Sequence, residues 1–295
     1  MIFLRYAGLV YCAAIWGSTF FAVKDALSSI SPAALVAYRF LICAALMFPF
    51  ALRGGGLRRH IRESAILSFY LALLYVSQTW GLKYTAAATS GFVTGMFVFF
   101  TPLILFLFFG RRIERRQWAA SLLAVAGLWL LTGGISGFNR GDAVTILAAV
   151  CYAAHVILTG EYMRENPDMP ALIFHQFWMT GLACLAFSLL CGESMAIASP
   201  KGWGWLIFLA LFPTLSAFYV QFWAQKTVPA DRSSLIFSLE PVFAALFAWT
   251  VGGEQSSAVK IAGGALIFSG IIIVEWPARG KSAHDMDLSD GRLGN

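Results

Sequence analysis

Charge is scarce in this sequence. Asp, Glu, Lys and Arg together make up 12% of 295 residues, while 59% are hydrophobic; soluble domains carry about a quarter charged residues. So little polar surface could not cover a soluble core, which excludes an ordinary globular enzyme or binding module. Cysteine is also sparse. Cys12, Cys43, Cys151, Cys184 and Cys191 are odd in number and fall in or beside apolar runs, which excludes a disulfide framework and leaves them as small apolar fillers. There is no Gly-rich phosphate loop, no metal-spaced cluster and no nucleophile beside an orienting base. The sequence therefore offers no means of ATP hydrolysis within the chain, implies no cofactor and gives no support to catalysis. A small-residue cleavage site is missing after the first apolar run, which is too long for a signal-peptide core and is expected to stay as a span.

What is abundant is apolar length. Runs of about 20 residues recur, the length needed to cross a hydrocarbon layer about 30 Å thick. Ten are expected, near 4–26, 32–52, 63–82, 87–109, 117–135, 142–160, 170–190, 203–224, 233–251 and 257–275. Backbone groups in lipid must pair internally, and these runs are far longer than barrel strands, so the fold class is an all-α membrane protein with ten transmembrane helices. The net charge of +6 does not point to nucleic acid. With the N-terminus in the cytoplasm, fifteen Lys and Arg fall on the inner side, among them Arg58, Arg59, Arg111, Arg112, Arg115 and Arg116. Five fall outside: Lys24, Lys83, Arg140, Lys201 and Lys260. This bias predicts cytoplasmic N- and C-termini. The polar tail, 277–295, reads as disordered.

The string "QTWGLK" at 78–83 has an echo in "QFWAQK" at 221–226. At the same offset Gln78, Trp80, Lys83, Ala87, Ser90, Phe100, Leu103, Gly110, Ala119, Leu123 and Gly127 all meet identical residues. The earlier stretches "SPAALVAYRF" and "MPALIFHQF" align with one residue skipped, setting Tyr38 opposite His175 and Arg39 opposite Gln176, while Thr19 falls roughly opposite His155. The chain divides into two halves, 1–136 and 137–276, followed by the tail. Five helices is an odd number, so the second half enters the membrane inverted, a plan of secondary transporters with the substrate site between the repeats. Under this alignment Pro102 and Pro241 are offset by four residues and Glu240 faces Phe97. Because proline kinks a helix, the fourth and ninth helices are expected to bend at different depths.

"WGSTF" (16–20), "SGFVTGMFVFFTPL" (90–103) and "SSLIFSLEPVFAALFAWTVGGE" (233–254) resemble the drug/metabolite transporter superfamily, in the branch with two EamA-type repeats. Within it, length and aromatic richness are similar to the YddG-type exporters of aromatic and other amino acids. The resemblance implies a ten-helix inner-membrane transporter with both termini inside.

Polar groups within spans are the candidates for function, since an ionisable residue there is costly. Arg39, two turns into the second helix, costs about 2.5–3.5 kcal/mol at a helix centre. It either snorkels to the outer interface, pairs with a helix end or holds a substrate carboxylate. Glu240 is the deepest carboxylate, suited to carrying a proton or to a structural role at the proline kink. His155 and His175 are packing residues or face the interface between halves. Trp16 packs closely through Gly17 and Ser18 or lines a cavity. Tyr38, Phe97 and Trp178 are further candidates. Gln78 and Gln221 stand at opposite mouths of one pathway, beside Trp and Lys anchors.

This inventory suits a zwitterion, with aromatic faces for its ammonium and Arg39 for its carboxylate. The expected partners are a small-molecule substrate of the amino-acid class and the lipid bilayer, not nucleic acid, and nothing requires more than one chain. Export of aromatic or apolar amino acids by alternating access, down their gradient, is the leading expectation. A proton-coupled exporter of drugs or small metabolites, and a membrane-embedded lipid-handling protein or enzyme, are the alternatives.

Overall fold

The computed structural model describes residues 2–53, 59–85, 87–133, 139–165, 167–250 and 256–275. The tail at 277–295, expected to be disordered, and the boundary between halves at 136 and 137 lie outside them. Every regular element among the described residues is helical. The first half contains α1 (Ile2–Gly17), α2 (Thr19–Ala26), α3 (Pro32–Arg53), α4 (Ile61–Gly81), α5 (Ala87–Gly95), α6 (Phe97–Phe109) and α7 (Arg115–Thr132). The second contains α8 (Arg140–Arg164), α9 (Met169–Leu190), α10 (Pro200–Ala210), a π-helical turn (Leu211–Ser216), α11 (Ala217–Gln225), α12 (Ala230–Phe237), α13 (Glu240–Thr250) and α14 (Ala258–Glu275).

Among the described residues, six stretches are long and apolar enough to cross a membrane: Ile2–Ala26, Pro32–Arg53, Thr89–Phe109, Arg140–Arg164, Met169–Leu190 and Pro200–Gln225. Ala258–Val274 is apolar but shorter. Side chains such as Leu190, 88% exposed, and Phe108, 78% exposed, would be a liability in water. In a bilayer they simply face lipid.

The helix ends follow local chemistry. Asn139 accepts hydrogen bonds from the nitrogens of Gly141 and Asp142, and the Asp142 carboxylate accepts one from the Asn139 nitrogen, closing a capping box at the start of α8. Asp168 caps α9 and Ser199 caps α10, each with Pro in the first turn, where its missing N–H costs nothing. Gly110 and Gly133 end α6 and α7 at positive φ.

The packing is organised in matched pairs. α3 lies along α9, and α7 along α14. α4 lies on α8 as α11 lies on α1, and α5 and α6 meet α8 as α12 and α13 meet α1. For these pairs, exchanging each first-half helix for its repeat counterpart reproduces the contact. The α7–α14 seam shows this at the atomic level. A Cβ on Gly263 would lie 2.6 Å from the Gly127 carbonyl oxygen, and one on Gly127 would lie 2.6 Å from the Gly263 oxygen. The counterparts of this pair, Gly270 and Ala120, also meet, with a Cβ on Gly270 falling 2.9 Å from the Ala120 oxygen. Small residues let the two backbones touch where no hydrophobic force drives helices together.

The fourth and ninth spans differ from expectation. Their interruptions fall at Met96 and at Ser238–Leu239, and Met96 and Leu239 are repeat counterparts. The Met96 nitrogen bonds Val93 O at 3.2 Å and the Leu239 nitrogen bonds the equivalent Ile236 O at 3.0 Å, a local tightening of the helix. Pro241 acts on the carbonyl of Phe237, where α12 ends, whereas Pro102 stays buried inside α6. The break follows the repeat position, and only in the second half does the proline coincide with it.

The α7–α14 seam can be tested directly. Gly263→Val should destabilise the protein by about 1–3 kcal/mol, the usual cost of overpacking, lowering its thermal midpoint in detergent. A midpoint equal to the parent's would show that the two helices separate at no cost.

Candidate functional site

The site begins at a fault in a helix. Between α10 and α11 the chain makes a π turn containing Pro213, which cannot donate a backbone hydrogen bond. The carbonyls left over are taken by side chains of other helices. Arg39 Nε donates to Leu209 O at 3.1 Å and to the Thr214 hydroxyl, which itself donates to Leu209 O at 2.7 Å. Trp16 Nε1 donates to Pro213 O at 2.7 Å, and Cys43 Sγ to Ala210 O at 3.0 Å. Arg39 is 3% exposed. Of the roles open to it, the structure places it deep, paired with helix carbonyls, and away from the interface. Its Cζ sits 4.7 Å from the centre of the Tyr75 ring, and Nη2 lies 3.5 Å from the Tyr75 hydroxyl. Nη1 takes no partner among the described residues.

Trp16 closes the opposite wall. Its ring meets Phe237 at 5.0 Å, Phe218 at 5.8 Å and Tyr152 at 6.1 Å, edge to face in each case. The glycine beside it explains the approach: a Cβ on Gly17 would lie 2.6 Å from Glu240 O and 2.8 Å from Ala244 N. α1 therefore presses directly on the start of α13. Glu240, the first residue of α13, is buried, and its Oε2 has no hydrogen-bond partner. Arg39 and Glu240 make no ion pair with each other.

These groups surround one narrow, open-ended cavity. Trp16, Arg39, Gln78, His155 and Glu240 line it, five of the residues singled out by sequence, from helices far apart in the chain. Gln78 Nε2 donates to the Thr94 hydroxyl at 3.2 Å. Thr19 and Gln78 are part-exposed and mark the mouth.

The other candidates stand elsewhere. Phe97 backs Tyr152, ring centres 4.2 Å apart. Tyr38 reaches outward and donates to Met195 O at 2.8 Å. On α9, Trp178 Nε1 donates to His175 Nδ1 at 2.9 Å, away from the lining. Gln221 is buried, its Nε2 donating to Gln225 Oε1 at 2.9 Å.

Thr19, Val23, Leu74, Tyr75, Thr79 and Phe218 complete the lining along with Tyr152; those first six were not among the site residues read from the sequence. A signal for them exists in the repeat. The offset that pairs Gln78 with Gln221 pairs Tyr75 with Phe218, and the one that pairs Thr19 with His155 pairs Trp16 with Tyr152. All six of those last-named side chains line the cavity, so counterparts from the two halves meet around it.

Chemically, the lining offers a guanidinium, a carboxyl, an imidazole and hydroxyls between aromatic faces. Such a concave site with a few convergent polar groups is of the kind that takes up small molecules. Fold and cavity together define a polytopic membrane protein with a solute site between its helices.

The chain belongs to the EamA-like transporter family, whose pattern matches residues 5–133 and 139–276. It is a multi-pass inner-membrane transporter. It is 35% identical over 268 residues to an uncharacterized transporter of Archaeoglobus fulgidus, covering 90% of this chain and 84% of that one. Against the uncharacterized inner membrane transporter YedA of Escherichia coli K12 it is 23% identical, covering 88% and 87%. A solved crystal structure superposes with a TM-score of 0.78 at 19% identity, over 92% of this chain and 96% of the other, which shows a shared fold.

Thr214→Val removes an acceptor from the buried Arg39 while keeping side-chain volume. A hydrogen bond to a charged group contributes about 1.5–3 kcal/mol, and a loss of that order should appear as a lower midpoint in detergent unfolding. Undiminished stability would mean that Leu209 O alone holds the guanidinium.

Proposed function

We propose that this transporter exports amino acids, aromatic or apolar ones foremost, by alternating access between two inverted five-helix halves whose termini lie in the cytoplasm. One observation carries the substrate class: a cation, Arg39, and a carboxyl, Glu240, line the same aromatic cavity without pairing with one another. Arg39 then meets the substrate carboxylate, Glu240 its ammonium, and Trp16, Tyr75, Tyr152 and Phe218 its apolar side chain. The matched packing of α4 on α8 and α11 on α1 supports the inverted arrangement of ten spans, and the inner excess of Lys and Arg supports its orientation. In that orientation the mouth at Thr19 and Gln78 opens outward.

The energetic mode follows from the charge inventory. One deep carboxylate engaged by the substrate leaves no separate proton site, so transport runs down the substrate gradient. A second reading, proton-coupled export of other small solutes, is favoured by the unpartnered Oε2 of Glu240.

Purified protein in liposomes distinguishes them. Labelled phenylalanine should equilibrate across the membrane without a proton gradient, whereas flux that begins only when a gradient is imposed would establish the second reading. Arg39→Gln should slow phenylalanine flux by about 10–100-fold, the value of a charge-assisted hydrogen bond, and spare phenethylamine, which lacks the carboxylate. Equal losses for both solutes would remove Arg39 from substrate recognition.

A further inference from the structure

A group of buried polar atoms lies at and behind the cavity on α8, α9 and α11, and apart from a contact between His155 and Gln176 none has a hydrogen-bond partner of good geometry among the described residues. They are Nε2 of His155, Oγ1 of Thr159, both amide atoms of Gln176 and Oε1 of Gln221. All four residues are 1% exposed or less, and Gln176 lies beside the His155 ring. Buried polar groups are normally paired, so a cluster of unpaired ones on α8, α9 and α11 calls for a physical reason. Other buried unpartnered atoms, on Ser90, Asp168 and Thr180, stand apart from these. These four residues follow the repeat.

His155 is the counterpart of Thr19, Gln176 of Arg39 and Gln221 of Gln78; at the same offsets Thr159 is the counterpart of Val23 and Phe222 of Thr79. Every one of those first-half residues lines the open cavity. The cluster is thus the same surface built by the other half of the chain: His155 is its one member that also lines the open cavity, and Thr159, Gln176 and Gln221 are closed off behind it. We propose that His155, Thr159, Gln176 and Gln221 form a second half-site, opening to the face opposite the Thr19 mouth, and binding the polar end of the substrate as neutral hydrogen-bond partners. This rests on the reading of the protein as a transporter with inverted halves.

The details fit a closed gate. Phe222 is fully buried where the open half has Thr79, and its ring lies 6.5 Å from that of His155. Gln225 fixes the Gln221 amide by accepting from its Nε2 at 2.9 Å while donating to Val156 O at 2.9 Å, so that Oε1 is the unused end. When α11 moves off α8, these groups gain water or substrate in place of each other's company. Gln176 replaces Arg39, so this half-site has no cation for a carboxylate. Binding from its side should therefore be weaker.

Single-cysteine variants of the full chain, with the five native cysteines replaced, test the proposal in right-side-out and inside-out vesicles. The probe is a membrane-impermeant trimethylammonium methanethiosulfonate. T19C should react from the outer face only. T159C should react from the inner face only, about tenfold or more faster than A153C, a buried neighbour on the same helix. Should T159C fail to fold, Q221C carries the same expectation. Side-specific labelling of T19C with T159C and Q221C no faster than A153C from either face would overturn the half-site and leave the cavity reading intact. Inner-face labelling of T159C in protein that moves no amino acid would uphold the half-site and overturn the substrate class instead.

Discussion

The site depends on an exchange of hydrogen bonds across helices. A span in hydrocarbon cannot leave carbonyls unpaired, and a π turn with a proline leaves several. Arg39, Trp16 and Cys43 take them, each from another helix. The exchange works in both directions. It satisfies a backbone that could not satisfy itself, and it gives a buried arginine a reason to remain deep. With Nε engaged and the guanidinium over Tyr75, the far end of Arg39 is aimed by its own anchoring. The fault in the helix and the charge in the cavity are one arrangement.

Around this arrangement the halves are alike in packing and unlike in chemistry. Small residues keep counterpart helices in contact along α7 and α14, and breaks at Met96 and Leu239 fall at matching depths. On the proposed reading, such matching permits two conformations of similar energy, in which either half adopts the open shape. Chemistry then separates them. Arg39 faces Gln176 in the repeat, Glu240 faces Phe97, and Thr79 faces Phe222. Polar groups from α3 and α4 meet water through the mouth, whereas their counterparts are shut between α8, α9 and α11.

Much of this was legible in the sequence. Scarce charge and long apolar runs fix a helical membrane fold, because lipid allows little else. Arg39, Glu240, Trp16, Gln78 and His155 stand out as polar or bulky residues at depth, and these five do line the cavity. What the sequence did not reveal is rotation about each helix axis. Tyr38 and Arg39 are neighbours in the chain, yet one reaches Met195 in the loop after α9 and the other the cavity. Tyr75 and Phe218 sit in unbroken apolar runs where nothing distinguishes lining from packing. The π turn is hidden too, since Pro213 reads as an ordinary kink until its freed carbonyls are seen to have takers.

The two charged side chains of the cavity come from different halves, Arg39 from α3 and Glu240 from α13, and they make no ion pair with each other. Arg39 is nonetheless buried, its guanidinium held by the carbonyl of Leu209 and by the Tyr75 ring. On the proposed reading, a bound substrate adds to those bonds unequally in the open and closed forms, and such a difference is what lets a ligand shift a two-state equilibrium. The bonding that builds the site then also sets the cost of closing it.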